Sequence, residues 1–135
     1  MYDAHYILEK AARRASRDAM AEQCYASAYQ ALTCGQDTHA RRLFGLLAAM
    51  IPSDERPWIG LAVCHERRAN WAMAAAMYGM GSAIAKDTAW SHFGRGRALQ
   101  RLGKRMAARR AFQSAEAATS DPALLSAISE EWSQA

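Results

Sequence analysis

Residues 71–87 read WAMAAAMYGMGSAIAKD, a run apolar enough for a core yet without leucine and dominated by Ala, Met and Gly. Side chains this small leave a helix surface that other backbones can approach closely, and the one tyrosine, Tyr78, is available to fill the space left over. The stretch predicts a helix with neighbours on more than one side.

Outward from it, the same arrangement recurs at a spacing of 34 residues. That step aligns Ala28, Ala62 and Gly96; Ala40, Ala74 and Ala108; Phe44, Tyr78 and Phe112; and Leu47, Gly81 and Ala115. Gly35, Ala69 and Gly103 fall together where turns are expected. A small residue, a second small residue 12 positions later and an aromatic four after that match the tetratricopeptide (TPR) pattern. Trp58, Leu61 and Ala62 match its W-x-x-L-G opening in the second copy, and Pro52 takes the closing-proline place in the first. Lys86 and Ser120 stand at that place in the later copies.

In this frame residues 71–87 form the second helix of the middle repeat. Ala74 lets the two helices of the repeat cross closely, Tyr78 fills the space between repeats, and Gly81 admits the following helix. Met73, Met77 and Met80 are expected to fill irregular gaps.

The fold class that follows is all-α: a TPR superhelix of three helix-turn-helix repeats with an N-terminal helix and a C-terminal capping helix. The whole chain, 1–135, reads as a single TPR domain. Its parts are a leading helix over 1–20, repeats over 21–54, 55–88 and 89–120, and a capping helix over 121–135. Helices are expected over about 4–19, 21–34, 37–50, 55–68, 71–85, 89–102 and 105–118. A last one starts at Asp121-Pro122, a capping acid followed by proline at the first helical position, and runs to about residue 132.

Composition agrees with this reading and narrows the function. At 135 residues the chain is long enough for one core, with abundant Ala and only 3 Pro. The N-terminus MYDAHYILEKAARR lacks the uninterrupted apolar region of a secretory signal, and no stretch reaches the roughly 18 to 20 apolar residues of a membrane span. A cytoplasmic protein is expected. The odd set Cys24, Cys34 and Cys64 reads as small buried hydrophobes in a reducing compartment.

Stacked helix pairs curve, and the first helix of each pair lines the hollow side. Positions 2, 5, 9 and 12 of each repeat share one helical face. They are Glu22, Tyr25, Tyr29 and Leu32; Arg56, Ile59, Val63 and Glu66; and Trp90, Phe93, Arg97 and Gln100. The centre of this stripe is apolar and aromatic, whereas each repeat already has its own core set. A partner supplying the missing burial fits it best, and Tyr25, Tyr29, Leu32, Ile59, Val63, Trp90, Phe93 and Arg97 are the candidate peptide-binding residues. The competing reading is that Tyr25, Tyr29 or Trp90 packs under the leading helix or against a second copy. TPR proteins that clamp a peptide's terminal carboxylate carry Lys and Asn where this chain has Tyr25 and Tyr29, so an extended segment with spaced apolar anchors is the expected ligand.

Three stretches, EQCYASAYQALTCGQ (22–36), PWIGLAVCHERRANWAMAAAMYGMGSA (57–83) and GRALQRLGKRMAARRAF (96–112), resemble the class II chaperones of bacterial type III secretion. Tyr78-Gly79 before a small-residue run, and Leu61-Ala62-Val63-Cys64, are the more particular features. The resemblance covers about residues 21–132. It implies a cytoplasmic bacterial chaperone whose concave groove takes an extended N-terminal segment of a translocator subunit through apolar anchors, and it places Tyr25, Tyr29 and Leu32 in the first pocket. Leu32 departs from the aromatic usual there. The family's N-terminal arm often serves homodimers, which leaves a homodimer open for this chain. A chaperone of the needle subunit or of another apparatus component, and a general TPR adaptor, are the alternatives.

Other chemistry finds little support. His5, His39, His65 and His92 form no H-E-x-x-H, the cysteines lack zinc-ribbon spacing, and Cys64 and His65 diverge on a helix, so neither metal nor other cofactor is expected. Gly79-x-Gly81 and Gly94-x-Gly96 lack the strand and the third glycine of a nucleotide loop. No nucleophile, base and orienting group are spaced as a catalytic set, so a non-enzyme is expected. Arg95, Arg97, Arg101, Lys104, Arg105, Arg109 and Arg110 raise nucleic acid or an acidic partner, but they spread around two helices and read better as a solvated face.

Overall fold

A computed structural model describes residues 4–84 and 88–134; the side chains of residues 5–7, 10–11 and 13–16 are outside the description. Among the described residues the chain is all-helical, with α1 (Ala4–Thr33), α2 (Asp37–Met50), α3 (Glu55–Arg67), α4 (Trp71–Ile84), α5 (Ala89–Arg101), α6 (Arg105–Ala117) and α7 (Pro122–Ser133). Each helix packs on the next from α1 to α6, and α7 packs on both α5 and α6. This is the antiparallel hairpin array of a TPR superhelix closed by a capping helix.

One boundary differs from expectation. The leading helix and the first helix of the array are a single 30-residue helix, α1, with no break near residue 20. The local sequence ASRDAMAEQC holds neither glycine nor proline, so nothing interrupts a helix about 45 Å long. The end of α4 expected at residue 85 falls outside the described residues.

The turns inside the hairpins follow one design. Gly35, Ala69 and Gly103 all have positive φ, at 78°, 56° and 77°. In each turn the next amide reaches back five residues: Gln36 N to Ala31 O (2.8 Å), Asn70 N to His65 O (2.9 Å) and Lys104 N to Leu99 O (3.0 Å). These are helix C-terminal caps that need a left-handed residue, and the middle one uses alanine where glycine is easier. At the helix starts, Asp54 and Asp121 accept hydrogen bonds from the amides of Arg56 and Ala123 and so cap α3 and α7.

An aromatic-on-glycine ladder fixes the hairpins against one another. A Cβ on Gly60 would lie 2.6 Å from the Phe44 ring, and one on Gly94 would clash with the Tyr78 ring. Gly60 and Gly94 are 34 residues apart, as are the rings they meet, so the aromatic of each second helix presses on the backbone of the next first helix. Gly96 receives Phe112 within its own hairpin, where a Cβ would come within 2.6 Å of the ring. One repeat beyond Gly94 stands Ile128, fully buried in the same cluster as Phe112 and Leu124.

Residues 71–84 occupy the place expected of them. Ala74 and Tyr78 are buried, and a Cβ on Gly81 would touch Ser91 of α5 and Ile59 of α3. The methionines divide: Met77 packs partly buried against the core, but Met73 and Met80 are exposed rather than gap-filling, because alanines already bring the backbones together. Cys64 is buried and burial pushes its thiol pKa up, whereas Cys34, expected inside, is exposed at the end of α1. No helix among the described residues is long and apolar enough to cross a membrane.

Candidate peptide-binding groove

The first helices of successive hairpins, α1 and α3, bring Tyr25, Tyr29, Leu32, Ile59 and Val63 around one cavity of about 180 Å³, with Phe44, Arg56 and Gly60 completing its lining. The repeat geometry explains why: positions one repeat apart on parallel first helices face the same side. Leu32 is buried, Tyr25, Ile59 and Val63 are half-buried, and Tyr29 stands 57% exposed on the rim. Tyr25 meets Phe44 edge-on at 6.1 Å, so the cavity wall is continuous with the core.

Arg56 is the polar wall, and it is immobilised. Its guanidinium lies 4.4 Å over the Tyr25 ring, a cation–π arrangement. Its Nη2 donates to Asp54 Oδ2 at 2.7 Å and to Glu22 Oε1 at 2.6 Å. Hydrogen bonding to Arg56 holds both carboxyls below their usual range, and the two acids raise the guanidinium pKa further. Burial raises the Tyr25 hydroxyl pKa. The Arg56 charge is thus matched by two acids, and the cavity offers an incoming segment apolar surface rather than a free cation.

The other three candidates lie on the third hairpin and do not line this cavity. Trp90 is 52% exposed and meets Phe93 edge-on at 6.1 Å. Phe93, expected in the groove and outside the core, is only 9% exposed and packs against Phe112 at 6.1 Å. Its ring joins the core cluster that holds Leu99, Phe112, Leu124 and Ile128. Arg97 is tied to Glu131 of α7 by an ion pair of 3.3 Å and lies 5.8 Å from the Phe93 ring.

Two features of this surface are absent from the sequence reading. Glu22–Arg56 and Arg97–Glu131 are opposite charges one repeat apart, and such spacing signals a lateral pair across adjacent first helices. Gly60 and Gly94 carry the same spacing, but Ala26 and Ile128 occupy their places in the outer copies, so the motif occurs only twice. The basic residues of the third hairpin other than Arg97, namely Arg95, Arg101, Lys104, Arg105, Arg109 and Arg110, are all exposed. Among the described residues no group of three or more His, Cys, Asp or Glu side chains could hold a metal ion.

Comparison with known proteins places the fold. No family model matches the sequence, and no curated protein matches it. Solved structures do. The type III secretion translocator chaperone SycD of Yersinia enterocolitica superimposes with a TM-score of 0.80 at 20% identity, over 87% of this chain and 91% of that one. PcrH, solved in complex with the chaperone binding region of PopB, gives 0.77 at 23% identity over 82% of this chain and 93% of that one. The N-terminal domain of stress-induced protein-1 from C. elegans gives 0.72 at 15% identity, again over 82% and 93%. At these identities the likeness is one of fold, shared by secretion chaperones and by a domain from a different setting.

Proposed function

We propose that the chain is a cytoplasmic chaperone of a bacterial type III secretion system that holds an extended apolar segment of a translocator subunit in its concave groove. The observation that carries this reading is the apolar cavity between α1 and α3, in which five of the eight candidate residues meet and whose one charged wall, Arg56, is matched by its own acids. A subunit destined for a membrane exposes apolar surface that aggregates before export, and covering part of it in a groove suppresses aggregation without chemistry. A disordered ligand loses entropy on ordering, so a few apolar anchors give reversible binding. The likeness to SycD and to PcrH bound to a PopB segment supports the same reading.

The test is co-expression with the translocators of the native host. The expected result is that one of them becomes soluble and co-purifies, and that Tyr29→Ala weakens the complex while the helical circular dichroism stays unchanged. A translocator that stays insoluble beside a folded chaperone would remove this reading in favour of a general adaptor.

A further inference from the structure

The third hairpin and the capping helix enclose a second cleft, which shares no lining residue with the groove cavity. It has a volume of about 290 Å³ and lies between the end of α5, the first turns of α6 and the end of α7. Ala108, Phe112 and Trp132 give it an apolar interior, with Phe112 and Trp132 at 6.2 Å, and the exposed Met106 also lines it. That size suits a side chain with its adjoining backbone rather than a bulky cofactor.

Gln100 donates its Nε2–H to the Glu131 carbonyl at 3.3 Å, which fixes which way its amide faces. Its Oε1 is then buried with no hydrogen-bond partner among the described residues, and so is Trp132 Nε1. Both atoms are closed off from the cleft surface, so what the cleft presents is the pair of rings, Phe112 and Trp132, within its walls.

The rim is cationic. Arg105 and Arg109 line the cleft, are exposed and have no ion pair among the described residues; Arg109 lies 5.4 Å from the Trp132 ring. The lining acid, Glu131, is engaged by Arg97. Helix α6 starts at this wall with no side-chain cap on its N-terminus and no acid in its first turn. Its exposed amides and Arg105 together favour an incoming carboxylate.

We propose that the cleft between α6 and α7 is a second docking site, for an extended acidic peptide segment of a partner protein. An apolar side chain enters beside Phe112 and Trp132, and a flanking carboxylate meets Arg105, Arg109 and the start of α6.

The test uses the full chain, labelled with nitrogen-15, and a capped peptide Asp-Glu-Leu-Glu-Asp at low ionic strength. The indole N–H resonance of Trp132, assigned through its disappearance in Trp132→Phe, is expected to move on titration. Arg105→Ala combined with Arg109→Ala is expected to weaken the peptide about tenfold or more while the protein still co-purifies with groove cargo. The proposal is overturned if the indole resonance stays still, if the double variant binds as well as the parent, or if the peptide with lysines in place of its acids binds equally. It is also overturned if a single-stranded oligonucleotide moves the same resonance at lower concentration, since the site would then be one for nucleic acid.

Discussion

The guanidinium of Arg56 lies 4.4 Å above the ring of Tyr25, held there by Asp54 at the start of its own helix and by Glu22 one repeat earlier. An ion pair and a stacked ring thus join two hairpins at the mouth of the groove cavity. Replacing Arg56 with Ala is expected to cost about 1 kcal/mol in urea unfolding, since the cation–π contact and the partly exposed pairs are each modest. The same change frees Tyr25 and should loosen cargo binding more than it lowers stability, a difference that co-purification yield beside a denaturation curve would reveal.

The glycines divide into those that must stay and those that need not. Gly60→Ala and Gly94→Ala place a methyl group against the Phe44 and Tyr78 rings and are each expected to destabilise by roughly 1–3 kcal/mol. Gly45 and Gly79 lie within helices, and a Cβ at either would meet nothing within 4 Å, so alanine there should stabilise by up to about 1 kcal/mol. Thermal melts of the four variants check the division, and a loss at Gly45 or a gain at Gly94 would contradict it.

Tyr29 and Phe93 should behave oppositely although both belong to the predicted stripe. Tyr29→Ala removes a rim side chain and should change stability by less than about 0.5 kcal/mol. Phe93→Ala empties a core position against Phe112 and should cost about 3–5 kcal/mol. Chemical denaturation distinguishes them.

Stability should depend on pH through two histidines. Burial first, and then nearby arginines, hold His65 and His92 below the ordinary imidazole pKa. Below about pH 6.5 the unfolded chain takes up protons that the folded chain resists, so stability falls as pH drops through that range and is flat above about pH 7. Glu22 and Asp54, whose pKa values are lowered by Arg56, add a further decline below about pH 4 as they protonate. Melting temperatures measured from pH 8 to pH 4 should show the first decline, and His65→Gln with His92→Gln should remove most of it.

The period was legible because the packing that sets it is local and repeated: Ala74 and Tyr78 recur as Ala40 and Phe44, and as Ala108 and Phe112. The left-handed turns were legible through Gly35 and Gly103, which mark the register even where Ala69 replaces glycine. The unbroken α1 was not, because the repeat boundary at residue 20 is a matter of phase and leaves no chemical mark on a helix-forming sequence. Of the stripe, Tyr25, Tyr29, Leu32, Ile59 and Val63 gathered as their spacing implies. Phe93 did not, because its ring turns into the core cluster beside Phe112, a tertiary contact that its place on the stripe does not mark.

Ile128 gives the ladder an ending. Wherever the array continues, the aromatic of one hairpin needs bare backbone opposite it, and at the corresponding position of α7 a branched side chain fills the room instead. An engineer wishing to lengthen this protein by grafting on another unit would have to reshape that junction as well as append residues. The last rung of the ladder is thus set by one side chain.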